Sequence, residues 1–264
     1  DLFSWYKANA VGLDVNITDP NVWVSQIQGP KSMELLDHLI DEEIAKNWKY
    51  FDWTTVTIKG ERLIISRTGF TNELGWEFYL RPENNAEKIG DLILEEGKKM
   101  GMILTATPSF RGRRIEAGLL SAGQDFDKNT NPFSVGLGKF VDLEKENFIG
   151  KEALIVAEKK CKTWGIRIKD GIALKGDSLK INGENVGKVT SSTWSPYQVC
   201  GVGIVHMNDY NLGPGSIIEV TCVDGKIRTG ELCKLPMYDS KGEIVRGIKK
   251  EIPLDPNPWK GLSK

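Results

Sequence analysis

Histidine is nearly absent from this sequence, which has only His38 and His206 among 264 residues. A Ser–His–Asp triad or a histidine-rich metal centre has little to draw on. The four cysteines, Cys161, Cys200, Cys222 and Cys233, form no CxxC pair. Zinc sites need closely spaced thiols or added histidines, so no metal is expected. Three of these cysteines fall in strand-like runs, which suits buried free thiols in a reducing compartment and makes the cytoplasm the expected location. No apolar run reaches the length of a membrane span, and no charged-then-apolar leader opens the chain. An excess of one charge is also missing: 35 basic residues face 36 acidic ones, for a formal net charge of −1. That balance gives no footprint for nucleic acid or for a membrane surface. Nucleotide motifs are absent too. There is no GxxxxGK[ST], and Gly136-Leu137-Gly138 is followed by a lysine rather than completing GxGxxG.

What remains is a chain of ordinary globular composition, 40% hydrophobic and 27% charged, long enough for two domains. Asp1 to Ala10 reads as an amphipathic helix with Leu2, Trp5 and Tyr6 on one side. A chain that opens inside an element is expected to lack a preceding portion. Leu13 to Ile17 alternates as a strand, and Val22 to Ile27 reads as a second, ended by Gly29-Pro30 at the start of a helix. Thr54–Ile58 and Arg62–Ser66 bracket Lys59-Gly60-Glu61 as a hairpin. A strand over Gly75–Leu80 precedes helices over Ala86–Met100 and Ser109–Leu120. From Thr163 onward the pattern changes to short strands between Gly, Asp and Asn turns, as in a small antiparallel barrel or sandwich. The organisation is α+β first and all-β last. It divides into a central α+β region at 1–157, a β-barrel at 158–235 and an extended tail at 236–264 carrying Pro253, Pro256 and Pro258.

One segment carries chemistry. In Ser66-Arg67-Thr68-Gly69-Phe70-Thr71-Asn72-Glu73-Leu74-Gly75-Trp76-Glu77-Phe78-Tyr79-Leu80, a glycine-containing loop joins two strands. Alternation puts Trp76, Phe78 and Leu80 on one face and Glu77 and Tyr79 on the other. A carboxylate beside a phenol can accept two N–H donors of a flat heterocycle, as the amino-pyrimidinone edge of a pterin presents them. The same pattern also describes a solvated strand face, and spacing alone favours that plainer reading. Trp76 and Trp194 face a similar choice between core packing and shielding a methylated cation. For Trp76 the core is the better reading, while Trp194, in a turn region beside Tyr197, is open.

The segment resembles SRTGYTGEDGFEIYV, a signature of the glycine-cleavage T-protein and folate-dependent demethylase family, which includes dimethylsulfoniopropionate demethylase. Val24-Ser25-Gln26-Ile27-Gln28-Gly29-Pro30-Lys31 is similar to the family's strand ending in QGP, and Arg114-Ile115-Glu116-Ala117-Gly118-Leu119-Leu120 to its RLEAGL helix. Asn131-Pro132-Phe133, Gly136 to Val141 and Phe148 to Leu154 follow in family order, so the likeness runs from residue 1 to about residue 235. The resemblance implies a folate-binding α+β fold of ferredoxin-like units followed by a small barrel, with tetrahydrofolate as cofactor. It places the pterin on Glu77, and Tyr79, Arg114, Trp194 and Tyr238 complete the expected cofactor-binding set. The family's catalytic aspartate belongs to a segment upstream of Asp1, so the catalytic residue is left unassigned.

A departure shapes the expected reaction. The family form ARDSLRLEAG aligns with Ser109-Phe110-Arg111-Gly112-Arg113-Arg114-Ile115-Glu116-Ala117-Gly118, which puts Phe110 where an arginine contacts folate or substrate. Arg111 and Arg113 are nearby, but one residue along a helix turns a side chain by roughly 100°. The resemblance therefore implies a tetrahydrofolate-dependent transferase of demethylase type, acting on a small methylated donor. Two alternatives stand beside it. One is the aminomethyltransferase of glycine cleavage, with a lipoyl carrier protein as partner. The other is a non-catalytic folate-binding regulatory module.

Overall fold

The computed structural model describes residues 2–43, 48–105 and 107–250. It divides into two compact units, residues 1–68 with 75–103, and residues 69–74 with 104–264.

The first unit is built on a four-stranded antiparallel sheet of order β1-β4-β3-β2. Its strands are β1 (Trp23–Gln28), β2 (Trp53–Ile58), β3 (Glu61–Ser66) and β4 (Gly75–Leu80), and its helices α1 (Leu2–Asn9), α2 (Ser32–Leu39) and α3 (Ala86–Lys99). The Lys59–Gly60 turn sets the hairpin register, pairing Val56 with Leu63 and Thr54 with Ile65. Period-two alternation then sends Val56, Ile58, Leu63, Ile65, Trp76 and Phe78 to one face. Leu35, Leu36 and Leu39 of α2 and Ile89 and Leu92 of α3 close over that face. Asn85 starts α3 by accepting the Lys88 N–H, the usual way a side chain satisfies an orphan donor. Trp76 is wholly buried against Trp48, so the core reading of that residue holds.

The second unit carries a closed antiparallel barrel of order β10-β5-β8-β7-β6-β9. The strands are β5 (Thr163–Ile168), β6 (Ser178–Ile181), β7 (Glu184–Ser195), β8 (Cys200–Met207), β9 (Ile217–Thr221) and β10 (Ile227–Cys233). Closure leaves no strand edge unpaired, and Ile166, Ile168, Leu179, Val205, Met207 and Ile218 fill the interior. Helices α4 (Thr107–Glu116) and α5 (Lys151–Val156) precede it. Ile115 of α4 packs with Cys200, Val202, Ile204 and Met237.

Several expectations change. Residues 13–17 form no strand: Leu13 and Val15 are exposed and have no neighbouring strand among the described residues to pair their backbone. The helix expected to reach Leu120 stops at Glu116, because Gly118 turns to φ +69° and the Leu119 N–H bonds back to the Arg114 carbonyl at 2.8 Å. Helix α4 belongs to the same compact unit as the barrel, and its buried partners lie on barrel strands. Residues 236–250 are not extended: Met237, Tyr238 and Val245 are buried, and the Asp239 carboxylate accepts the N–H groups of Glu243 and Ile244. Pro253, Pro256 and Pro258 lie outside the described residues.

Candidate functional site

In the first unit, the sheet face opposite the core carries Glu77 and Tyr79, as the alternation along β4 requires. Ser66 lies directly across from Glu77 in the β3–β4 register. Just past the end of β3, the Thr68 hydroxyl donates to Glu77 Oε2, and the Tyr79 hydroxyl reaches the same oxygen at 3.4 Å. Ser66 Oγ bonds the Tyr79 hydroxyl at 3.2 Å and the Thr68 hydroxyl as well. Glu77 Oε1 accepts no hydrogen bond from the described residues, and the side chain is only half-buried. Burial, reinforced by the Glu77 charge, holds the Tyr50 phenol above the ordinary tyrosine range, so it stays a neutral hydroxyl near pH 7.

The loop beneath this cluster is held by a close approach. Gln28 donates its Nε2 to the Thr68 carbonyl at 3.2 Å. A Cβ at position 75 would come within 2.5 Å of the Gln28 amide, so only glycine leaves that amide in place. The QGP strand and the start of β4 thus position Thr68, which in turn orients Glu77.

This arrangement fits a pterin edge. One carboxylate oxygen is open, and the hydroxyls on the other can rotate to act as donors or acceptors. Two adjacent N–H groups on a planar ring match such a carboxylate bidentately.

The second unit gathers charge around Arg113. Its guanidinium pairs with Glu73, with Glu116 Oε2 at 2.7 Å and with the Tyr238 hydroxyl at 2.6 Å. It also lies 5.1 Å from the Tyr238 ring centre and 5.7 Å from that of Tyr197. Glu116 accepts a further bond from Ser195. Burial raises the Glu116 carboxyl pKa, with Arg113 opposing the shift. Burial likewise pushes the Tyr238 phenol far above its ordinary range, so it stays a neutral hydroxyl and accepts the Arg113 N–H. Phe110 packs on Phe70 with ring centres 5.7 Å apart.

Arg114 points elsewhere. It pairs with Asp125, both side chains being almost fully buried, and donates to Ser191 Oγ at 2.7 Å. Thr190 and Ser191 both donate to Asp125 Oδ1, at 2.6 and 2.7 Å. Consecutive strand residues normally face opposite ways. The register shift between Val189 and Ser191 bulges β7 and lets both face one carboxylate. Arg114 therefore has its charge matched inside the protein.

Of the residues expected from sequence, Glu77 and Tyr79 stand together, and Tyr238 joins the Arg113 cluster. Trp194 is 38% exposed near the end of β7. Ser66, Thr68 and Tyr50 around Glu77, and Glu73 and Glu116 around Tyr238, carry no assigned role in the sequence, where Arg113 enters only as a cation near the Phe110 position. The hairpin register could have found Ser66, which follows from extending the β3–β4 pairing. Nothing local marks Glu73 as a partner of Arg113, 40 residues away. All four cysteines are free, no His/Cys/Asp/Glu group among the described residues could hold a metal, and no helix there is long and apolar enough to cross a membrane.

Comparison with known proteins adds what geometry alone cannot. The GCVT N-terminal domain matches residues 1–145, and the glycine cleavage T-protein C-terminal barrel domain matches residues 162–239. The chain is 35% identical over 240 residues to the aminomethyltransferase of Halothermothrix orenii, covering 89% of this chain and 66% of that protein. It is 33% identical over 259 residues to the aminomethyltransferase of Thermotoga maritima, covering 93% and 67%. Among solved structures, glycine cleavage system aminomethyltransferase T from Bartonella henselae superposes with a TM-score of 0.77 at 21% identity, over 90% of this chain and 65% of that one. That likeness concerns the fold. The chain spans about two thirds of the length of these relatives. With both family domains matched in order and a curated relative one-third identical across nearly the whole chain, this protein belongs to the glycine-cleavage T-protein family.

Proposed function

We propose that this chain is the folate-holding part of a tetrahydrofolate-dependent aminomethyltransferase that receives its one-carbon unit from a lipoyl carrier protein. The observation that carries the reading is the half-buried carboxylate of Glu77, with Oε1 open and Oε2 fixed by Thr68 and Tyr79. Glu77 would hold the amino-pyrimidinone edge, while Ser66, Thr68 and Tyr79 keep the carboxylate in one orientation. When bound, tetrahydrofolate supplies the amine that accepts the one-carbon unit. The contribution of these residues is positioning, and holding reactants in line removes much of an entropic barrier. The names of the relatives favour this reading over demethylation, which the sequence alone had placed first.

Demethylation of a small methylated donor stays as a second reading on one specific observation. Phe110, packed on Phe70, puts an apolar ring where the family register has an arginine. A site without that cation accommodates a cationic donor more readily, since burying like charges together is costly.

Titration with tetrahydrofolate tests the shared part of both readings. Wild type should bind, and Glu77→Ala should weaken affinity by about a hundredfold, as loss of two charge-assisted hydrogen bonds implies. Equal affinity in the two proteins would remove the assignment. Folate product formed with the aminomethylated carrier but not with methylated ammonium or sulfonium compounds would select aminomethyl transfer. The reverse pattern would select demethylation, and binding without turnover would leave a regulatory module.

A further inference from the structure

The second unit holds a cavity of about 390 Å³ lined by α4 and β7, and no carboxylate among the described residues stands in its lining. Three cations do: Arg111, Arg114 and Lys175. Their charges are not equivalent. Arg114 is matched by Asp125 behind it. Lys175 gives one N–H to the neutral Gln124 amide at 2.9 Å and meets no carboxylate among the described residues. Arg111 makes no hydrogen bond or ion pair among the described residues. Two positive charges therefore face one cavity uncompensated, beside the hydroxyls of Ser192 and Thr193. In the ARDSLRLEAG register, position 111 is an aspartate, so this chain carries a cation where that form has an anion.

Like charges gathered at a concave surface raise the local potential for an anion, and guanidinium forks match carboxylate and phosphate oxygens bidentately. The cavity size is that of a small-metabolite site. We propose that this cavity is a binding site for a small dianion presenting carboxylate or phosphate oxygens, held by Arg111 and Lys175. It shares no residue with the Glu77 cluster, and it stands whether or not that cluster binds folate.

Both key side chains are exposed, so their replacement leaves the core untouched. The full chain would be titrated with inorganic phosphate and, separately, with succinate, at constant ionic strength made up with chloride, and followed by calorimetry. Saturable binding of one or both is expected, and the two arms tell phosphate from dicarboxylate chemistry. An Arg111→Gln/Lys175→Gln variant should lose at least tenfold in affinity. A Lys180→Gln/Lys226→Gln variant, which removes equal charge from exposed barrel positions, should bind as wild type does. Absence of saturation with both anions, equal affinity in the Arg111/Lys175 variant, or equal loss in the control variant would each overturn the proposal.

Discussion

Two glutamates, one in each compact unit, show how differently the same side chain can be used. Glu77 sits on an open sheet face, half-buried, with hydroxyls on one oxygen and nothing from the described residues on the other. Glu116 is 1% exposed, with both oxygens engaged, by Arg113 and Ser195, and with burial raising its pKa. A perturbed pKa often marks a functional group. Here the perturbed carboxylate is consumed by internal partners, and an oxygen with unused acceptor capacity is the one that can meet a ligand. Available acceptor capacity, more than burial, separates the two roles.

The largest loss of stability is expected where a carboxylate is wholly enclosed by internal partners. Asp125 is the most enclosed carboxylate partner in the second unit, holding Arg114, Thr190, Ser191 and the Ser121 N–H together. Asp125→Ala strands a buried guanidinium, and a loss of about 3–5 kcal/mol is expected in denaturant unfolding. Pairing it with Arg114→Met should recover part of that loss by removing the stranded charge. Glu116→Ala comes next, at roughly 2 kcal/mol, because Arg113 keeps Glu73 and Tyr238. Glu77→Ala should cost less than about 1 kcal/mol, since Ser66, Thr68 and Tyr79 can bond to one another and the position is partly solvated. If Glu77→Ala unfolds the chain as readily as Glu116→Ala, the distinction between a ligand carboxylate and a structural one fails.

Much of this was legible in the sequence, for physical reasons. Alternation along β4 placed Glu77 and Tyr79 opposite Trp76 and Phe78, because side chains on a strand have only two faces to choose from. The two-residue turn at Lys59–Gly60 set the hairpin, and with it the position of Ser66. Other features lacked a local signal. Strand β6 has four residues and is defined by its neighbours β7 and β9, so composition alone did not reveal it. Arg114 read as a ligand residue from its motif, and only the fold brings Asp125 and the bulged Thr190–Ser191 pair to it. The run at 13–17 has the alternation of a strand without a partner, and alternation cannot supply hydrogen bonds.

The smallest expected effect lies in the barrel and concerns pH. His206 on β8 stands opposite Thr163 of β5 and Lys188 of β7, and its Nδ1 is 2.9 Å from the Thr163 hydroxyl. Burial lowers its pKa below 6.5, Lys162 and Lys188 add to the shift, and Asp127 opposes it. The folded state therefore prefers the neutral imidazole, whereas the unfolded chain takes up a proton near pH 6.5. Below that pH the unfolded state binds more protons, so stability falls as the solution is acidified from the unfolded pKa toward the folded one. The contribution is fully present above pH 6.5 and is lost on the acid side, the opposite course from a histidine held by a carboxylate. Between pH 7 and pH 5.5 the urea midpoint of wild type should fall more than that of His206→Gln, which keeps a polar side chain without the titration. His38 is common to both proteins and cancels in the difference. Parallel midpoints across that range would show that the barrel tolerates the imidazolium, and that burial at this position is less complete than the geometry around Thr163 implies.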